Sequence, residues 1–252
     1  MAALIEAKAV SRNFGGVQAV RNCTLDVEAN EVTGLIGPNG AGKTTMLEMI
    51  AGALPPSSGS ILFDGQDIAG AGRTRVARLG LVRTFQMARP LPSMPVLENV
   101  IVGHQRQDGE SPLKLFSSGW RTQEAQLRER AEDCLAAVGL AAKRNILGGE
   151  LSGGQQKLLE MARLLMAEPR MVLLDEPIAG VNPRLAEDLA RVIRGMKDRG
   201  ITVLVVEHNL NFVDRTCDSV IVMAEGTVLM RGSLGQVRQD RRVIDAYLGV
   251  GV

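Results

Sequence analysis

The residues with the clearest chemical potential lie in Gly37-Pro38-Asn39-Gly40-Ala41-Gly42-Lys43-Thr44-Thr45, whose spacing is G-x-x-x-x-G-K-T. Glycines at these places let the backbone turn sharply, so that successive amide N–H groups face one point and make a seat for an anion. A helix that starts at the end of the loop adds the positive end of its dipole. Lys43 then reaches the β- and γ-phosphates of a nucleotide, and the Thr44 hydroxyl ligates Mg²⁺. The competing reading is a plain glycine-rich turn. The flanks favour the phosphate loop: residues 31–36 read as a strand entering it and residues 45–51 as a helix leaving it.

Further stretches carry complementary chemistry. Met171-Val-Leu-Leu174-Asp175-Glu176 is an apolar run ending in two carboxylates. Such a run fits a strand buried on both faces of a parallel sheet, and ligands of these sheets sit beyond the C-terminal strand ends. There Asp175 would hold Mg²⁺, directly or through water, and Glu176 would orient and deprotonate an attacking water. Ile201-Thr-Val-Leu-Val-Val206 is a second buried strand and ends at Glu207-His208. A lone histidine is more often structural, but one at this strand end points to a phosphate contact. Gln86, after the strand at 80–85, is either a strand terminus or a group that reaches Mg²⁺ or the attacking water.

Ser152-Gly153-Gly154-Gln155 opens a helix with a capping-box pattern. An ordinary helix start explains the cap but not the two glycines, which cost roughly 1 kcal/mol each against alanine in a helix. They make sense if something approaches the backbone there, and an exposed helix N-terminus suits a phosphate. Phe14, ahead of a Gly-Gly turn, is either a core or edge phenylalanine or a flat apolar surface for a base.

These residues need elements to position them. The chain has 252 residues, 45% of them apolar, enough for one large α/β domain or a domain with a subdomain. Residues 2–10 and 22–28 read as strands of a small antiparallel layer, and 60–68 as a hairpin with a tight turn at Asp64-Gly65. Residues 87–95 are a proline-rich, exposed loop and 104–120 are loop-like. From 121 to 138 the period turns helical, with Leu127, Ala131, Cys134, Leu135 and Val138 on one face. Asn182 caps a helix whose first residue is Pro183. Residues 219–230 read as a hairpin and 233–248 as short closing helices.

The formal net charge of +1 gives no field that would attract nucleic acid or anionic lipid. Aromatic residues, at 3%, are too few for a base-stacking platform. Cys23, Cys134 and Cys217 are odd in number and widely spaced, as expected of buried thiols in a reducing compartment. The N-terminus lacks the pattern of a signal peptide, and no apolar run is long enough to span a bilayer. A role at a membrane therefore calls for a partner that spans it.

Taken in order, these stretches resemble the ATP-binding subunit of an ABC transporter over almost the whole chain. Residues 37–45 match Walker A, Gln86 the glutamine loop, Leu151-Ser-Gly-Gly-Gln155 the signature, and Met171–Asp175 with Glu176 Walker B. The D-loop falls at 179–182, the switch histidine at His208, and Phe14 matches the aromatic that stacks on adenine. Arg83-Thr-Phe-Gln86, Val206-Glu-His-Asn209 and Ala246-Tyr-Leu-Gly249 are similar to the LivG-like ATPases of branched-chain amino acid importers. Asn182 stands where many cassettes have Asp, a departure the LivG-like group shares.

The resemblance implies a P-loop NTPase core with a mostly parallel sheet, an antiparallel β subdomain and a helical subdomain. It implies one nucleotide-binding domain over 1–252, with an α/β core at 1–86 and 151–252 and a helical subdomain at 87–150. Nucleotide would contact Phe14, Gly37, Pro38, Asn39, Gly40, Ala41, Gly42, Lys43, Thr44 and Thr45. It would also contact Ser152, Gly153, Gly154 and Gln155 of a second subunit, in a head-to-tail pair with a like copy or a paralogous ATPase. Glu176, His208 and Gln86 would be catalytic, and Thr44, Gln86 and Asp175 would hold Mg²⁺. The implied partners are transmembrane permease subunits and, indirectly, a periplasmic substrate-binding protein, at the cytoplasmic face of the inner membrane. Lipopolysaccharide export or urea uptake are the nearest alternatives. A chromosome or ribosome ATPase is disfavoured, because the stretch from Lys43 to Ser152 is too short for a long coiled coil and the motifs occur once.

Overall fold

Continuous aliphatic runs and alternating runs build two different sheets. The computed structural model of the chain describes residues 3–84, 90–104 and 119–248, the side chains of 119–122 excepted. The chain divides into two compact units, one of residues 1–83, 170–180 and 193–252 and one of residues 84–169 and 181–192. The second is wider than the helical stretch 87–150 expected from the sequence.

The first unit holds both sheets. A four-stranded antiparallel sheet runs in the order β2-β1-β4-β5, from β1 (Ala3–Phe14), β2 (Val17–Glu28), β4 (Ser58–Phe63) and β5 (Gln66–Asp67). The expected hairpin turn is present: Asp64 and Gly65 both take positive φ, 50° and 74°, as a two-residue turn between twisted strands requires. A six-stranded sheet runs β10-β9-β3-β8-β7-β6. Its parallel members are β3 (Val32–Ile36), β6 (Leu81–Arg83), β7 (Met171–Asp175), β8 (Thr202–Val206) and β9 (Ser219–Ala224). Antiparallel β10 (Thr227–Gly232) closes one edge. All of β3 and β8 and the four aliphatic residues of β7 are buried.

One face of this sheet packs with the antiparallel layer and with α1 (Lys43–Ile50), through Ile5, Val10, Leu47, Ile50, Leu173 and Leu204. The other face packs with α7 (Leu210–Thr216), α8 (Leu234–Gln239) and α9 (Arg241–Leu248), through Val213, Val222, Val237 and Val243. Cys23 and Cys134 are buried; Cys217 is only partly so, a correction to the expectation of three buried thiols.

The second unit is helical. It contains α3 (Val96–Ile101), α4 (Gly119–Ala137), α5 (Gly153–Met166) and the N-terminal part of α6 (Pro183–Asp198). The stripe expected on α4 is buried at Ala131, Cys134 and Leu135, and Val138 beyond it is buried too. The fully buried Asn99 of α3 accepts from Leu91 N–H at 2.7 Å and donates to Leu91 and Met94 carbonyls at 3.0 and 2.9 Å. That side chain supplies the hydrogen bonds the proline-rich segment cannot make for itself. The segments 85–89 and 105–118, which include Gln86, lie outside the described residues.

Candidate active site

Parallel pairing sets the tips of three strands level. Leu35 of β3 is opposite Val206 of β8, and Asp175 of β7 is opposite the same Val206. The chain leaving β3 is therefore the glycine loop, that leaving β8 carries Glu207 and His208, and that leaving β7 carries Glu176. Neighbouring strands lie about 4.8 Å apart, so these groups converge at one edge of the sheet, within the first unit.

The loop is shaped by close approach. A Cβ on Gly42, at φ 92°, would stand 2.5 Å from the Ala19 carbonyl oxygen, and one on Gly37 would stand 2.0 Å from that of Met223. Gly42 is also the N-cap of α1, and no side chain caps that helix start. The first amide N–H groups of α1 consequently lack the usual side-chain acceptor. Lys43 is buried, and its ammonium donates to the carbonyls of Gly37 at 2.8 Å and Pro38 at 2.9 Å. Burial lowers its pKa, while Glu176 and Asp175 act in the opposite direction. A buried cation hydrogen-bonded to neutral carbonyls, beside uncapped amides, fits a polyanionic phosphate chain.

The carboxylates differ in setting. Asp175 Oδ2 accepts from the Arg83 guanidinium at 2.8 Å, and Arg83 also faces Glu48 of α1 at 3.8 Å. Glu176 is exposed at the strand tip, and its backbone takes φ 48°. That left-handed conformation is uncommon for a residue with a Cβ and marks functional turns. His208 Nδ1 lies 3.5 Å from Glu176 Oε1. Thr44 is exposed beside the buried Lys43. The Asp175 carboxylate and the Thr44 hydroxyl are hard oxygen donors, suited to a divalent cation. Among the described residues no three His, Cys, Asp or Glu side chains form a metal cage.

Phe14 ends β1 and is 46% exposed, with the Arg12 guanidinium 4.8 Å from its ring centroid. Ser152, Gly153, Gly154 and Gln155 belong to the second unit. The capping box is formed: Gln155 N–H donates to Ser152 Oγ at 3.4 Å, and Ser152 N–H to Gln155 Oε1 at 3.1 Å. Among the described residues a Cβ on Gly153 would meet nothing within 4 Å, whereas one on Gly154 would stand 2.9 Å from Leu185 Cδ2. Gln86 is not among the described residues. The structure adds Arg83 and Glu207, both buried, to the groups expected from the sequence. In the sequence they stand only as members of Arg83-Thr-Phe-Gln86 and Val206-Glu-His-Asn209, with nothing to mark either as buried.

A mostly parallel sheet with a glycine loop and paired carboxylates at one edge defines a P-loop nucleotide-binding protein. The chain belongs to the ABC transporter family, whose profile matches residues 20–179. It is 37% identical over 251 residues to the probable branched-chain amino acid transport ATP-binding protein LivG of Methanocaldococcus jannaschii, covering 98% of this chain and 97% of that one. It is 38% identical to the high-affinity branched-chain amino acid transport ATP-binding protein BraF of Pseudomonas aeruginosa, over 98% of both chains. Among solved structures, an ADP conformation of an ATP-binding cassette from an ABC transporter superposes with a TM-score of 0.85 at 37% identity, covering 99% of this chain and 100% of that one. A nucleotide-free cassette gives 0.82 at 36%, covering 98% and 99%.

Proposed function

We propose that the chain is the ATP-binding and ATP-hydrolysing subunit of an importer for branched-chain or other hydrophobic amino acids. The ATPase reading is carried by one observation: a buried, carbonyl-held Lys43 in a glycine loop, level with the strand tips that bear Asp175, Glu176 and His208. The amino-acid reading is supported by what the relatives' names say they transport.

Residues 37–45 hold the phosphate chain through backbone amides, Lys43 neutralises its β- and γ-oxygens, and Phe14 stacks on the base. Thr44, Asp175 and Gln86 would hold Mg²⁺, which when bound would neutralise charge on the phosphates. Glu176 accepts a proton from water as the water oxygen bonds to the γ-phosphorus and ADP departs. His208, within reach of Glu176, orients that group and contacts the γ-phosphate. Ser152, Gly153, Gly154 and Gln155 face the nucleotide of a second subunit, like or paralogous. Closure of the pair is favoured by ATP only as far as ATP binds the closed state more tightly. Among the described residues no helix is long and apolar enough to cross a membrane. Work on a transported molecule therefore passes to transmembrane permease subunits, with the chain at the cytoplasmic face and a periplasmic binding protein delivering substrate.

The test is Glu176→Gln. It should bind ATP with the affinity of the parent chain, lose about 10²–10⁴-fold in hydrolysis and accumulate as a dimer with ATP. Fast turnover by this variant removes Glu176 from the base role. Recovery of permease subunits with the tagged chain from detergent-solubilised membranes, and loss of leucine uptake when the chain is deleted, test the transport part.

A further inference from the structure

Glu207 follows the last residue of β8 and is 1% exposed. The strand before it is entirely buried and mostly aliphatic, so a larger apolar residue would serve packing better than a carboxylate, whose burial is costly unless its oxygens are well partnered. The partners here are backbone amides from two different segments. Oε1 accepts from Ile178 N–H at 3.2 Å and Oε2 from His208 N–H at 3.2 Å. Asn209 N–H is a third backbone donor to the same carboxylate. Ile178 stands two places after Glu176, in a turn that Ala179 N–H closes onto the Glu176 carbonyl at 3.0 Å. The Glu176 amide in turn donates to the Val206 carbonyl at 2.9 Å.

We infer that Glu207 is a positioning residue for the hydrolytic pair: its buried carboxylate clamps the turn that presents Glu176 to the strand end that presents His208. The inference rests on the roles given above to Glu176 and His208. The clamp needs two acceptors on one side chain. An ionised carboxylate offers two oxygens and no donor, whereas a glutamine in the same place has one acceptor and turns an N–H group against an amide N–H. An aspartate keeps the charge but is one methylene too short to serve both segments. Without the clamp the hydrogen bond from Ile178 to the end of β8 is lost, and the 3.5 Å approach of His208 to Glu176 loosens. Misplacement of a catalytic group by about 1 Å can cost 10²-fold in rate while leaving substrate binding intact.

The experiment compares the whole chain with Glu207→Gln and Glu207→Asp. Steady-state hydrolysis of MgATP, nucleotide affinity, thermal unfolding and amide hydrogen exchange are measured on each. Both variants should lose at least about tenfold in kcat with KM and nucleotide affinity within about twofold of the parent, in line with a positioning role. In both, the Ile178 and His208 amides should exchange faster while the amides of β3 and β8 keep their protection. Parental kcat in Glu207→Gln overturns the proposal. So does recovery of kcat in Glu207→Asp, which would make charge rather than the clamp the requirement. A joint loss of kcat, affinity and protection across the sheet overturns it too, because Glu207 would then serve the fold alone. Should the parent chain itself fail to hydrolyse ATP, the ATPase reading falls, while exchange at Ile178 and His208 still decides whether the clamp exists.

Discussion

Helices α1 and α5 both start at glycines, and they start in opposite ways. The first turn of α1 has Gly42 as its N-cap with no side-chain acceptor, follows a loop in which Gly37 and Gly42 are forced by close backbone contacts, and begins with a buried lysine. The first turn of α5 is capped by Ser152 and Gln155, is exposed at Ser152 and Gly153, and holds a glycine whose Cβ would meet nothing among the described residues. Unsatisfied donors plus a buried cation make a site that binds by itself. At α5 the cap satisfies the Gln155 amide, and with no neighbour over Gly153 among the described residues, glycine there leaves the backbone open to another molecule. On the proposed function, the first is a seat for nucleotide within one chain and the second is half of a seat shared with another.

The comparison breaks first at Lys43. Lys43→Ala should weaken nucleotide binding by about 10–100-fold, the worth of a charge-assisted hydrogen bond of about 1.5–3 kcal/mol, with the fold intact; titration with a fluorescent nucleotide reads it. Unchanged affinity would show that the α1 loop is not the primary seat. Next comes the paired substitution of the glycines. Gly42→Ala should destabilise the fold by more than about 1 kcal/mol, since its φ is positive and its Cβ would overlap a carbonyl. Gly153→Ala should leave stability the same or raise it by up to about 1 kcal/mol, the helix-propensity difference, yet lower hydrolysis by about tenfold, one lost contact to a charged group. Thermal melts and phosphate-release assays separate the two. Full activity in Gly153→Ala would end the shared-site reading. The smallest effect is expected for Ser152→Ala: about 1 kcal/mol of stability from the lost cap, with single-chain nucleotide affinity unchanged.

Much of this was legible in the sequence where local chemistry decides the outcome. The aliphatic runs at 171–174 and 201–206 became buried parallel strands, and the pattern from Ser152 to Gln155 became a real capping box. The antiparallel layer was recognised but its strands were read too short. β1 continues to Phe14 and β2 starts at Val17, with irregular pairing between Ala7 and Val10 and positive φ at Ala9 and Asn22. Such bulges shift the two-residue period, so an alternation test stops at the bulge while the strand goes on. Helix α2 (Arg73–Arg78) was invisible because Val76 is its one buried residue. Arg83 and Glu207 escaped for another reason. Their partners, Asp175 for the first and Ile178 for the second, are far away in sequence and adjacent only after the sheet forms.

The left-handed backbone of Glu176 has a consequence for the molecule's resistance to heat. A residue with a Cβ held there forgoes roughly 1 kcal/mol relative to glycine. A glycine in its place would relieve that strain while giving the unfolded chain more freedom, and on the role proposed for Glu176 it would remove the base. On that role the chain keeps one strained peptide unit for the sake of a single carboxylate.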